Sequence, residues 1–65
     1  MRRRAALEHA LRSREGVTQF TPVPVTVRAI TGHAIAQTAA QVLVEWEKHG
    51  AYHVRWEDKW QVKRV

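Results

Sequence analysis

Between Gly32 and Gly50, polar residues recur at His33, Gln37, Gln41, Glu45 and Lys48, while Ile35, Ala39, Val42, Leu43 and Trp46 fill the other side of the repeat. Steps of three and four are the period of an amphipathic helix, and they predict one over 33–49. Thr31 stands where an N-cap is wanted and Gly50 where a left-handed residue ends a helix. Lys48 and His49 fall in the last turn, where positive charge is favoured. A shorter stripe, Leu7 with Leu11 and Ala6 with Ala10, predicts an amphipathic helix over 2–15 that stops at Gly16. Glu8 before Arg12 is the favourable order at four residues' spacing, contributing about 0.2–0.5 kcal/mol. Arg2, Arg3 and Arg4 oppose the helix dipole, so the first turn is expected to fray.

Strand-like alternation appears twice. Val23, Val25 and Val27 alternate with Pro24, Thr26 and Arg28, predicting a strand over 23–30. Pro22 and Pro24 have no N–H to give to a ladder, which puts its start at a sheet edge. After Gly50, Tyr52, Val54 and Trp56 alternate with His53, Arg55 and Glu57, and a second run covers 60–65. With 57–59 as the loop, Trp56 faces Trp60, Val54 faces Val62 and Tyr52 faces Arg64. The expected fold is α+β: a short N-terminal helix, an edge strand, and a central amphipathic helix packed on a small sheet that ends in a C-terminal β-hairpin. Residues 1–16 form a basic helix or arm and 17–65 a single small domain. Trp46, Trp56 and Trp60 meet in its core, and the crossover through 33–49 is right-handed if strands 23–30 and 51–56 are parallel.

One alternative uses the same letters. Residues 42–46 also alternate as a strand, and Val44-Glu45-Trp46 with residues 52–58 resembles the paired strands of SH3-like barrels of the Tudor or chromo type. That resemblance implies a small β-barrel instead. The Ala- and Gln-rich stretch 33–41 favours the helix, because these residues prefer helix to sheet.

Composition narrows the classes. Sixty-five residues allow one domain, which buries only about 60% of the surface its unfolded chain exposes. A large catalytic cleft does not fit in it. With 45% apolar and 26% charged residues the chain has the composition of a folding sequence. The absence of cysteine excludes disulfides, thiolate chemistry and Cys-ligated zinc. No apolar run approaches the roughly 20 residues of a membrane helix, and Glu8 and His9 interrupt any export signal, so a cytoplasmic, unprocessed protein is expected.

Eleven Lys and Arg against six Asp and Glu give a formal charge of +5, concentrated at the two ends. Such a balance attracts phosphate or an acidic protein surface. The candidate nucleic-acid-binding residues are Arg2, Arg3, Arg4, Arg12 and Arg14 of the arm, with His53, Arg55, Lys59, Lys63 and Arg64 of the hairpin. In that hairpin His53, Arg55 and Lys63 share the face opposite the tryptophans. The plainer reading of these cations is a solvated surface that blocks edge-to-edge aggregation. His33, Gln37 and Gln41 have the chemistry to read base edges. A helix followed by a hairpin is similar to winged helix-turn-helix proteins, but the second helix is missing and Glu45 and Glu47 repel a DNA backbone. Trp60 and Tyr52, if exposed, would stack on bases; the alternation places Trp60 in the core.

His49 and His53 have metal-like spacing without further ligands, and no Ser-His-Asp set or glycine-rich phosphate loop can be assembled. No metal, cofactor, small-molecule substrate or catalysis is expected. Leu43-Val44-Glu45-Trp46-Glu47 followed by residues 51–54 resembles the helix-to-strand segment of small phage inhibitors of host RNA polymerase. That resemblance implies a second class of function, a protein-binding regulator that docks on RNA polymerase or a similar machine. The first class is a small basic regulator of transcription or another nucleic-acid transaction, holding phosphates with its two charged ends.

Overall fold

The computed structural model describes residues 3–65. A short helix, α1 (Arg3–Arg12), precedes four long strands, β1 (Thr18–Val27), β2 (Ile30–Gln37), β3 (Gln41–Lys48) and β4 (Ala51–Asp58). A single 3-10 turn, Lys59–Gln61, then leads to the two-residue strand β5 (Lys63–Arg64). All pairings are antiparallel and the strand order is β4-β3-β2-β1-β5.

The central helix over 33–49 is therefore not present: its two halves are β2 and β3, joined by a tight turn at 38–40. Thr38 closes that turn, its backbone N–H donating to the Gln41 carbonyl (2.9 Å) and its Oγ1 accepting from the Gln41 N–H (3.1 Å). The terminal hairpin is replaced as well, because β4 pairs with β3 and β5 returns to β1. No parallel crossover remains among the described residues, and the mostly antiparallel sheet overturns the helix-on-sheet architecture. The strand order is compatible with the SH3-like alternative.

Burial explains why strands win. Leu43 and Val44 are adjacent and both fully buried. Neighbouring side chains on a strand point to opposite faces, so β3 is covered on both sides. On one face Leu43 packs with Ala10, Ala36 and Trp56, under Leu7 and Leu11 of α1. On the other, Val44 packs with Val25, Val27 and Ala34, joined by Phe20, Trp46 and Val62. A bulge lets β2 serve both faces: Ala34 pairs with Val44 and Ala36 with Leu43, so one extra residue, Ile35, lies between them.

The three tryptophans accordingly do not meet. Trp56 lies under the helix and Trp46 on the opposite face, while Trp60 on the 3-10 turn is 77% exposed. The buried Trp56 indole donates to the Ala10 carbonyl (2.8 Å). The Ala10 carbonyl, in the last turn of α1, also accepts from the Ser13 N–H (3.2 Å) and the Ser13 hydroxyl (2.7 Å), and the indole bond adds a tie from the helix end to the sheet.

Two hairpins use two-residue loops with both residues at positive φ, the type I′ pattern: Arg28-Ala29 (φ 48° and 65°) and His49-Gly50 (φ 53° and 76°). Gly50 takes the left-handed conformation, though in a hairpin and not at a helix end. Arg28 and Ala29 do so against their steric preference. Arg28 is held by Glu57 Oε1 (3.0 Å) and Gln61 Oε1 (2.9 Å).

Gly32 and Ala29 make opposite predictions. A Cβ on Gly32 would land on the Glu45 carbonyl and within 3.0 Å of Trp46 Cβ, so Gly32→Ala lowers stability by about 2 kcal/mol. Ala29→Gly relieves the left-handed strain and raises stability by about 0.5–1 kcal/mol. Urea midpoints at constant m check both signs.

Candidate nucleic-acid interface

The predicted site residues separate into groups with different employment. Arg2 lies outside the described residues. Arg4 and Arg12 flank Glu8 on α1 at 3.7 and 3.6 Å, an exposed intrahelical trio. Arg3 reaches across to β3 and pairs with Glu45 (3.3 Å), with its guanidinium 5.4 Å from the Tyr52 ring centre. Arg14 donates from Nε to Gln41 Oε1 (2.9 Å) and lies over Trp56. Much of the arm is thus folded down onto its own protein.

The β4 cations are also engaged. Arg55 lies over Trp46 and pairs with Glu57 Oε2 (3.3 Å), and His53 stacks on Trp46 with ring centres 5.3 Å apart. Glu57 is only 4% exposed, and Arg28 and Arg55 supply the opposite charge that a buried carboxylate needs. β4 and β5 stand at the two ends of the strand order. The hairpin register that would set His53 and Arg55 beside Lys63 is therefore absent from the described residues.

Lys59, Lys63 and Arg64 are arranged differently. Among the described residues none of them makes an ion pair, a state shared only with Arg14 and Lys48. Their backbone is fixed nonetheless. The Lys59 N–H donates to the Ala40 carbonyl (3.1 Å) and the Val62 N–H to the Lys59 carbonyl (3.2 Å), while Val62 packs into the core. Lys63 and Arg64 pair with Thr26 and Val25, and the Val65 N–H reaches the Pro24 carbonyl (3.2 Å). Exposed Trp60 sits in the same seven-residue segment.

A groove of about 640 Å³ runs beside it, with Phe20, Val23, Val42 and Val62 along its floor and Lys59 and Arg64 at its rim. The volume falls within the ~300–1,000 Å³ of small-ligand clefts. Lys59, Trp60, Lys63 and Arg64 thus belong to one segment, and Trp60 lies outside the core and not inside it as the alternation predicts. The signal available in the sequence is Lys59-Trp60 followed, after Gln61 and Val62, by Lys63-Arg64; alternation alone assigns Trp60 inward.

A second polar cluster lies near the β3–β4 tip. The Tyr52 hydroxyl donates to Glu45 Oε1 (2.8 Å), and Arg3 shares that oxygen. Partial burial, followed by the Glu45 hydrogen bond and charge, pushes the Tyr52 phenol up to about 12. The Arg3 guanidinium is raised in turn by the same carboxylate. Among the described residues no three His, Asp or Glu side chains converge as metal ligands, and no helix is long and apolar enough to cross a membrane. A search of family models, curated proteins and solved structures finds no match to this chain.

Tyr52 is the sole tyrosine, so ultraviolet absorbance at alkaline pH reports it alone. The folded protein should titrate near 12, against about 10 in denaturant. Because the folded phenol holds its proton longer, this contribution to stability is complete below pH ~10 and is lost as pH rises through the folded value. Glu45→Gln should bring the midpoint down; an unchanged midpoint would remove Glu45 as a cause.

Proposed function

We propose that this protein is a small non-enzymatic nucleic-acid-binding module that acts in the cytoplasm, in transcription or another nucleic-acid transaction, gripping backbone phosphates with its C-terminal segment. The observation that carries this reading is the set Lys59, Lys63 and Arg64, three exposed cations without an anionic partner among the described residues, on backbone held by β1 and by the 38–40 turn. Charges fixed in this way meet an anion with little ordering cost. Arg14 contributes from the helix side: its partner Gln41 also donates to Asp58, the residue before Lys59.

The remaining candidates play a lesser part. Arg3, Arg4, Arg12 and Arg55 already face carboxylates, and lending them to phosphate means breaking those pairs. Arg55 is also tied to a buried carboxylate, so its replacement disturbs the fold together with any binding.

Labelled DNA and RNA oligonucleotides titrated at several salt concentrations test the proposal. Each phosphate neutralised adds about 0.9 on duplex, or about 0.7 on a single strand, to the slope of log affinity against log salt. The triple variant Lys59→Ala, Lys63→Ala, Arg64→Ala should flatten that slope by about 2 while circular dichroism stays unchanged. An unchanged slope removes this segment from the interface. A partner that survives nuclease treatment and moderate salt would favour docking on an acidic protein surface such as that of RNA polymerase.

A further inference from the structure

We infer that the groove beside the C-terminal segment takes single-stranded nucleic acid, with unstacked bases on its apolar floor, phosphates on Lys59 and Arg64 at its rim, and a further base on the exposed Trp60 that follows Lys59. The inference rests on the nucleic-acid reading and names which form of nucleic acid the same site accepts.

Three observations converge on it. Within one segment Lys59, Val62 and Arg64 line the groove, the exposed Trp60 follows Lys59 in the chain, and Lys63, next to Arg64 on β5, points to the other face. A duplex presents phosphates outward and hides its base faces in the stack, so it can use the cations but not the floor of Phe20, Val23 and Val62. A single strand offers both, and base stacking on aromatic rings tolerates any sequence.

The second observation is the lack of a groove-reading element among the described residues. The one helix, α1, has its apolar stripe buried against Trp56 and Leu43, and its exposed Arg4 and Arg12 both serve Glu8. The β3–β4 ribbon carries Glu47 beside Lys48 near its tip and spends Arg55 on Glu57, and the β1–β2 ribbon spends its tip Arg28 on Glu57 as well. Reading a duplex by inserting a helix or a ribbon into the major groove would require elements that this fold has already committed.

The third concerns the rival occupant, an extended peptide. Such a segment binds by adding a strand to an open sheet edge. β5 covers β1 only at Val25 and Thr26, which leaves the earlier part of β1 as the wall of the groove. Pro22 and Pro24 in that part have no N–H, and the pairing of β1 with β2 is irregular between Gln19 and Val23. An edge that is bulged and lacks donors makes a poor template for a ladder, whereas nucleotide binding needs none.

Fluorescence anisotropy with a 12-nucleotide labelled oligo(dT), an oligo(U) of equal length, and a mixed-sequence 12-base-pair duplex, all at low salt, tests the inference. Both single strands should bind at least tenfold more tightly than the duplex. Trp60→Ala should cost about tenfold on the single strands and under twofold on the duplex. Trp60 is exposed, so the urea midpoint of this variant should match that of the parent. Equal affinity for single strand and duplex, or indifference to Trp60→Ala, overturns the inference and leaves phosphate binding standing. Binding of poly-glutamate as tight as that of oligo(dT) also overturns it, because an anionic chain without bases would then suffice. Failure to bind any of the three oligonucleotides overturns the nucleic-acid reading itself.

Discussion

Two neighbouring residues on one strand must both be kept from water, and the rest of the architecture answers that demand. Leu43 and Val44 point to opposite sides of β3, and a single sheet with one solvated face cannot cover both. α1 covers the Leu43 side, pinned there by the indole of Trp56. The Val44 side is covered by β1, by Trp46 and by Val62 arriving from the 3-10 turn. Each buried aliphatic or aromatic side chain contributes about 1.5–3 kcal/mol, so a domain of this size cannot leave either face open. The bulge at Ile35 is the local device that lets β2 supply a small residue to each cluster.

Charge is organised by the same economy of cover. Glu57 pairs with Val42 on β3, and its buried carboxylate is compensated by Arg28 from the β1–β2 turn, which hydrogen-bonds Oε1, and by the charge of Arg55 two residues back on β4, while Oε2 accepts no hydrogen bond. Arg28 stands in a left-handed turn that disfavours its side chain, and its bonds to Glu57 and Gln61 hold it there. Gln61 belongs to the 3-10 turn, so the strained β1–β2 corner and the C-terminal segment are parts of one polar network. The backbone on either side of Gln61, which carries Lys59 and Lys63, is thus connected to the interior.

How much of this was legible in the sequence differs by element. The N-terminal helix was readable, because Leu7, Ala10 and Leu11 have no competing pattern and Glu8 sits between its arginines. The Val23, Val25 and Val27 alternation was readable as strand, but the expected span 23–30 starts five residues late and runs through the Arg28-Ala29 turn into β2. Gly50 is left-handed in a hairpin where a helix end was expected. The stretch 33–49 misled for a physical reason. Ala34, Ala36, Ala39 and Gln37 favour helix by a few tenths of a kcal/mol each, and burial of Leu43 and Val44 on opposite faces outweighs that sum. Gly32, Ala34 and Ala36 are small because β2 is the central strand, closely approached by Ala10 and by the backbone of β3. The turn at 38–40 contains neither Gly, Pro, Asn nor Asp, so nothing local marked where β2 ends. Once that turn was missed, the long-range return of β5 to β1 was hidden, and with it the exposure of Trp60.

The candidate site follows from where the fold has spare valence. A +5 chain could scatter its surplus, yet the arginines of α1 and β4 are largely consumed in attaching the helix, closing Glu8 and neutralising Glu57. Besides Arg14 and Lys48, the surplus emerges at Lys59, Lys63 and Arg64, in the segment that meets β1 over only two residues. Short pairing leaves the groove beside β1 unfilled, and the prolines there keep another strand from filling it. The exposed indole of Trp60 in the same segment is a cost for a protein with so little apolar surface to spare. Positive charge, an open apolar channel and an uncovered aromatic occur together because one short segment closes the sheet incompletely.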